Sequence, residues 1–145
     1  MSGVPLILDA AGLEQLAAER PSPRFRALLA EAARRDRDVK VAAVVCAEAC
    51  RGAARTRRVE AALARHGSRP TDQPAVDVVP TDFVLARQVG AVLHAAGSGS
   101  ADIVDAHCVA LGVLAGGGVV ATSDPDDISR LAAGVPAVRL VAVSV

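Results

Sequence analysis

The sequence predicts an α/β fold in which a central parallel sheet is flanked by helices on both faces, built as a single domain over residues 1–145. Three observations carry this expectation. Short apolar, β-prone runs alternate with longer stretches of helical periodicity, the pattern of parallel strands joined by crossover helices. The length of 145 residues suits one domain with a core that needs no disulfide or metal staple. Hydrophobic residues make up 52% and charged residues 22% of the chain, which is a globular composition.

The elements follow in order. Val4 to Leu8 is too short for a helix and ends at Asp9, so it reads as a buried strand. Gly12 to Arg35 reads as two helices, because Pro21-Ser22-Pro23 interrupts it and supplies an N-cap serine followed by an N1 proline. Phe25, Leu28, Leu29 and Ala32 then share one face. Val39 to Val45 reads as a second strand, Glu48 to His66 as a helix that tolerates Gly52, Gly67 to Pro74 as a turn-rich connection and Val76 to Val79 as a third strand. Thr81 is the expected cap of a helix through Ala96, with Val84, Leu85, Gln88, Val92 and Ala95 on its inner face. The Gly97-Ser98-Gly99 break leads to Ser100 as the expected cap of a helix from Ala101 to Ala115. Gly116 to Gly118 opens a strand from Val119 to Thr122, a short helix follows near Asp126 to Ala133, and Ala137 to Val143 is the last strand.

Composition excludes several functions. No apolar run approaches the ~18 residues a membrane span requires, and no basic region precedes an apolar stretch at the N-terminus, so a cytoplasmic protein with no membrane partner is expected. With two Phe and no Trp or Tyr, the chain lacks the stacking platforms that hold single-stranded nucleic acid in RRM and OB folds. Any RNA contact must run through phosphate and shape. Lys40 is the only lysine, which rules out a P-loop and disfavours a receiver domain. Asp9 is followed by Ala10 and Ala11, against an Asp-x-Asp phosphatase. Cys46, Cys50 and Cys108 are expected as reduced core thiols. The net charge of zero hides a split: residues 1–70 carry 13 Lys+Arg against 8 Asp+Glu, and residues 71–145 carry 3 against 8.

Three carboxylates stand in apolar surroundings. Asp9 is the only charged residue from Met1 to Leu13, Glu48 the only one from Val41 to Cys50, and Asp105 the only one between Asp102 and Asp124. A buried unpaired carboxylate costs several kcal/mol, and no lysine or arginine is built into these segments. Asp9 and Asp124 each end a predicted strand, where ligands bind in open α/β sheets, and Glu48 falls just past another. Carboxylates ~5 Å apart at an effective dielectric of ~20 would repel by roughly 3 kcal/mol per pair, which a divalent cation would relieve. An all-oxygen acidic set suits Mg²⁺ or Mn²⁺ rather than zinc.

The runs Leu6-Ile7-Leu8-Asp9-Ala10, Val44-Val45-Cys46-Ala47-Glu48, Ile103-Val104-Asp105-Ala106 and Val120-Ala121-Thr122-Ser123-Asp124-Pro125-Asp126-Asp127 follow in the order and spacing of the PIN-domain nucleases. The sequence resembles most the VapC-type toxin ribonucleases of bacterial toxin–antitoxin modules. The resemblance implies a PIN-like fold and hydrolysis of RNA phosphodiesters at an acid pocket with one or two Mg²⁺ or Mn²⁺ ions. It implies a homodimer and a cognate antitoxin as partners. Asp9, Glu48, Asp105 and Asp124 match the four acids, with catalytic and metal-binding roles. Asp127 matches an additional acid, and Asp102, three residues before Asp105 on nearly the same helical face, is a further candidate ligand. Thr122 and Ser123 match hydroxyl positions before the fourth acid. The chain departs from the pattern at Ala10-Ala11, where many members carry a small hydroxyl residue. That departure suits the alternative of a catalytically weak or inactive module that binds RNA or protein.

Plainer roles exist for the neighbouring residues. Asp102, Asp126 and Asp127 suit the first turns of helices through the dipole alone. His107 and Cys108 beside Asp105, with Cys46 and Cys50, lack the spacing of a zinc site and read as core residues. His66 and His94 read as surface or helix-end residues. Arg34, Arg35, Arg37, Arg55, Arg57 and Arg58 read as solvated helix ends sooner than an RNA track.

Overall fold

The computed structural model describes residues 3–67 and 75–145. Strand β1 (Leu6–Leu8) leads into helices α1 (Ala10–Ala17) and α2 (Pro23–Arg34). Strand β2 (Val39–Ala42) then leads into α3 (Ala43–Ala49) and α4 (Ala53–Gly67). Strand β3 (Val76–Val79), helix α5 (Phe83–Ala96), a 3-10 turn (Ser100–Asp102) and helix α6 (Ile103–Leu114) follow. Strand β4 (Gly118–Thr122), helix α7 (Pro125–Ala132) and strand β5 (Leu140–Ser144) end the chain.

The five strands form one sheet in the order β3-β2-β1-β4-β5, and every neighbouring pair is parallel. The expected α/β architecture is therefore what the chain adopts. Strand order reverses between β1 and β4, which places the topological switch point at the carboxyl ends of those two strands.

The helices cover both faces. A side chain at Gly12 of α1 would meet Leu8 and Ala121, whereas one at Gly112 of α6 would meet Ile7 and Leu140. Ile7 and Leu8 are consecutive in β1 and so point to opposite faces, which puts α1 and α6 on opposite sides of the sheet. Helix α6 is the more central: Ala106 through Gly112 are all buried, as a helix apolar on every side must be. Gly12 permits the close approach of α1, since a Cβ there would lie 3.0 Å from the Ala121 carbonyl oxygen and 3.2 Å from Leu8 Cβ. Gly12→Val is expected to destabilise the fold by ~1–3 kcal/mol through this overpacking. Chemical denaturation measures it, and unchanged stability would contradict the close packing.

Several element boundaries differ from expectation, each for a local reason. Strand β2 ends at Ala42, three residues early. Its partner β1 has already turned away after the Leu8↔Val41 pair, so the backbone beyond satisfies its own groups as helix α3. Gly52, at φ 90°, separates α3 from α4, so the helix expected across it is two helices. Asp82 caps α5, its carboxylate accepting from the Leu85 N–H at 2.9 Å, and Thr81 instead bonds His107. On α5 the buried residues are Leu85, Val89 and Val92, while Val84 faces solvent. Ser100 opens the 3-10 turn and makes no capping bond to α6. Strand β5 starts at Leu140, later than expected. The connection expected at Gly67 to Pro74 lies, past Gly67, outside the described residues.

The Ser22-Pro23 start of α2 is as expected, with the serine hydroxyl accepting from the Phe25 N–H at 3.2 Å. Phe25 and Ala32 are buried, and Leu28 and Leu29 pack against the core beside them. Among the described residues, no helix is long and apolar enough to cross a membrane.

Candidate metal centre

Asp9 leaves β1 and immediately caps α1. Its Oδ1 accepts from the Gly12 N–H at 3.0 Å, and the residue is only 7% exposed. A helix N-terminus supplies unpaired N–H donors and the positive end of the dipole, which makes a nearly buried carboxylate tolerable there. The same turn is fixed to the neighbouring strand, because the Asp9 N–H donates to the Ala121 carbonyl at 3.1 Å.

Asp105 sits in the first turn of α6, half-buried. Burial, then the charges of Asp9, Asp127, Glu48 and Asp102, push its carboxyl up to about 6. Carboxylates from four other segments thus act on Asp105 in α6: Asp9 after β1, Glu48 in α3, Asp102 at the end of the 3-10 turn and Asp127 in α7. Of these, Asp102, Asp105 and Asp127 each offer an oxygen within 4.8 Å of the others. Glu48 is on the exposed side of α3.

Asp124 is placed differently. It is the exposed N-cap of α7, with Oδ1 accepting from the Asp127 N–H at 3.2 Å. Its own N–H donates to Thr122 Oγ1 at 2.9 Å. Thr122 is buried at 1% exposure, so its hydroxyl orients the Asp124 backbone, while Ser123 is exposed.

One cation at this group was invisible in the segments around the acids. Arg130 of α7 places Nη2 3.2 Å from both Asp102 Oδ2 and Asp127 Oδ1, and Nη1 2.9 Å from Ser98 Oγ. The only sequence signal was its i,i+3 spacing from Asp127, a common surface pairing.

The raised Asp105 carboxyl has a consequence for stability. Without a cation, the native Asp105 keeps its proton up to about pH 6, whereas the unfolded chain releases it near pH ~4. The folded state binds more protons between these limits, so Asp105 makes the ion-free protein less stable as pH rises through that window. The residue is half exposed, and solvent screening reduces the effect to ~1 kcal/mol. Denaturant unfolding of wild type and Asp105→Asn on either side of the window checks this: the variant should lose that part of the slope, and identical slopes would contradict it.

The remaining candidates are accounted for by structure. His107 is buried, with Nε2 3.0 Å from Thr81 Oγ1 and Nδ1 2.6 Å from the Ile103 carbonyl. The carbonyl can only accept, so Nδ1 donates to it, and Nε2 is paired with the Thr81 hydroxyl. Both nitrogens are thereby occupied. Burial pushes the thiols of Cys108 and Cys46 up, which keeps them protonated and inert. His66 lies in the last turn of α4 and is buried, and His94 is exposed. Arg34, Arg35, Arg55, Arg57 and Arg58 are exposed and Arg37 half-buried. Arg35 pairs with Glu31 at 3.0 Å.

The sheet and the acid group define a parallel α/β protein with a cluster of carboxylates on the segments that follow its strands. The chain belongs to the PIN domain family, whose model matches residues 9–134. PIN domains are generally nucleases that use divalent metals. In fold the chain is similar to VapBC2 from Rickettsia felis, solved bound to a DNA fragment from their promoter. That match has a TM-score of 0.62 and 14% identity, and covers 95% of this chain and 98% of the other. It is similar also to FitAB bound to the IR36 DNA fragment (TM-score 0.58, 16% identity, 96% and 94% covered). FitAcB from Neisseria gonorrhoeae gives a TM-score of 0.57 at 17% identity, with 94% and 96% covered. No curated protein matches the sequence significantly.

Proposed function

We propose that the protein is a metal-dependent endoribonuclease, the toxin of a toxin–antitoxin module. The observation that supports this reading is the close grouping of Asp102, Asp105 and Asp127, with the charges of Asp9 and Glu48 also acting on Asp105, in a chain of the PIN domain family. The donor set fits a hard cation: it consists of carboxylate oxygens, three of them already within 4.8 Å of one another, which suits Mg²⁺ or Mn²⁺.

Asp9, Glu48, Asp105 and Asp124 would hold the ion, with Asp102 and Asp127 as further ligands at the outer side. When bound, the ion supplies an activated water for attack on the phosphodiester and neutralises charge as the bond breaks. The chain's own contributions are positional. Asp9 is locked by the α1 cap and by Ala121, Asp124 by Thr122, and Asp105 would hold the ion as its deprotonated carboxylate. Exposed arginines of α4, Arg55, Arg57 and Arg58, would draw in the RNA backbone without base stacking.

The proposed partners are RNA as substrate, a cognate antitoxin and a second copy of the chain. The proteins of similar fold include VapBC2 and FitAB, each bound to DNA. An open groove of about 820 Å³ beside α1, α2 and α4 is lined by Leu16, Phe25 and Leu29 together with Arg26, Arg58 and Arg65. That lining suits an antitoxin segment both apolar and acidic. Phe83, at 79% exposure, and Val84 offer apolar surface to a second copy.

Incubating the purified protein with RNA in Mn²⁺, in Mg²⁺ and in chelator tests the activity. Cleavage that requires the ion is expected, and RNA left intact in all three conditions would instead favour a binding module. Expression alone should arrest growth and co-expression with the neighbouring small reading frame should restore it. Harmless expression alone would remove the toxin assignment.

A further inference from the structure

Arg130 reaches across the mouth of the acid group and makes three polar contacts at once. Its Nη2 lies 3.2 Å from Asp102 Oδ2 and 3.2 Å from Asp127 Oδ1, and its Nη1 donates to Ser98 Oγ at 2.9 Å. Only the Asp127 pairing is local to α7. Asp102 ends the 3-10 turn before α6, and Ser98 lies in the break after α5, so the guanidinium ties α7 to the connection between α5 and α6, which is distant from it in sequence. Ser98 follows Gly97, whose φ of 63° turns the chain out of α5. A planar fork held on one side by a hydroxyl and on the other by two carboxylates has a fixed orientation.

The carboxylates that Arg130 holds are two of the three whose oxygens lie within 4.8 Å of one another. A guanidinium and a divalent ion therefore contend for the same oxygens. We propose that Arg130 is a tethered counter-cation of the acid group that competes with the divalent ion, so that ion binding is an exchange in which the guanidinium gives up Asp102 and Asp127. The inference rests on the metal-binding reading above and adds to it a built-in competitor. In the ion-free protein Arg130 offsets the repulsion among the carboxylates, and on ion binding it is released at the rim, where RNA phosphate would arrive.

The test is Mn²⁺ titration calorimetry on the full chain, with wild type, Arg130→Gln, Arg130→Lys and Ser98→Ala at one ionic strength, together with melting of each ion-free protein. Arg130→Gln should bind Mn²⁺ roughly three- to tenfold more tightly, the range of losing two exposed ion pairs. Its ion-free form should melt lower than wild type. Ser98→Ala should shift affinity the same way by less, because it frees one arm of the fork, and Arg130→Lys should fall between wild type and Arg130→Gln. Arg130 is exposed, so these changes leave the core intact. Equal or weaker Mn²⁺ binding by Arg130→Gln, with wild type binding normally, overturns the competition alone. Absence of binding in every protein overturns the metal reading and the competition with it.

Discussion

Asp9→Asn is expected to lower RNA cleavage by more than ~100-fold, beyond the loss typical of a residue that only supports a metal ligand. The ion-free fold should be at least as stable as wild type. Asparagine keeps the cap, since its side-chain oxygen accepts from the Gly12 N–H as Asp9 Oδ1 does at 3.0 Å. It removes a like charge next to Asp105, the largest of the charges raising that carboxyl. Activity and stability therefore move in different directions, which a merely structural Asp9 would not produce. Wild-type cleavage by the variant, freed of contaminating nuclease, would remove Asp9 from the site. A large loss of stability would mean that its charge supports the fold.

Saturating Mn²⁺ or Mg²⁺ should raise the melting temperature. An ion that binds the folded carboxylates and not the unfolded chain stabilises by ~2.7 kcal/mol at a free concentration ~100 times the dissociation constant. For a domain of this size that corresponds to roughly 6–10 °C. The gain should be largest above about pH 6, where Asp105 no longer has a proton to lose. A melting temperature indifferent to millimolar Mn²⁺ would count against ion binding at the acid group.

The parts of the fold readable from sequence are those set by local chemistry. The β1 run ending at Asp9, the Ser22-Pro23 start of α2 and the glycine break after α5 each depend on residues within one turn. The misplaced boundaries depended on neighbours. Nothing within Val39 to Val45 announces that β1 stops pairing at Leu8, and that pairing decides where β2 ends. Thr81 and Asp82 are both competent caps, and the choice fell to Asp82 as Thr81 took His107 as its partner.

The acid group divides the same way. Asp9, Glu48 and Asp105 stood out because their segments are otherwise apolar, and the charges of Asp9 and Glu48 help to raise the Asp105 carboxyl. Asp102 and Asp127 had equally good roles as first-turn acids; the spacing of three places Asp102 beside Asp105, whereas only the approach of α6 to α7 brings Asp127 to them. Arg130 is not legible as part of the group in the sequence because its contacts to Asp102 and Ser98 are tertiary, whereas its local environment is that of an ordinary polar helix. Asp124 ended a predicted strand as Asp9 did and also caps the helix that follows, yet it is exposed where Asp9 is nearly buried.

The most direct measurement is the count of Mn²⁺ bound at equilibrium, followed by electron paramagnetic resonance of the free ion, in wild type and in Asp9→Asn and Asp105→Asn. Saturable binding by wild type, weakened at least ~10-fold in each variant, is expected if these carboxylates hold the cation. Equal binding by all three proteins, or none by wild type, would contradict a metal centre at the carboxyl ends of β1 and β4.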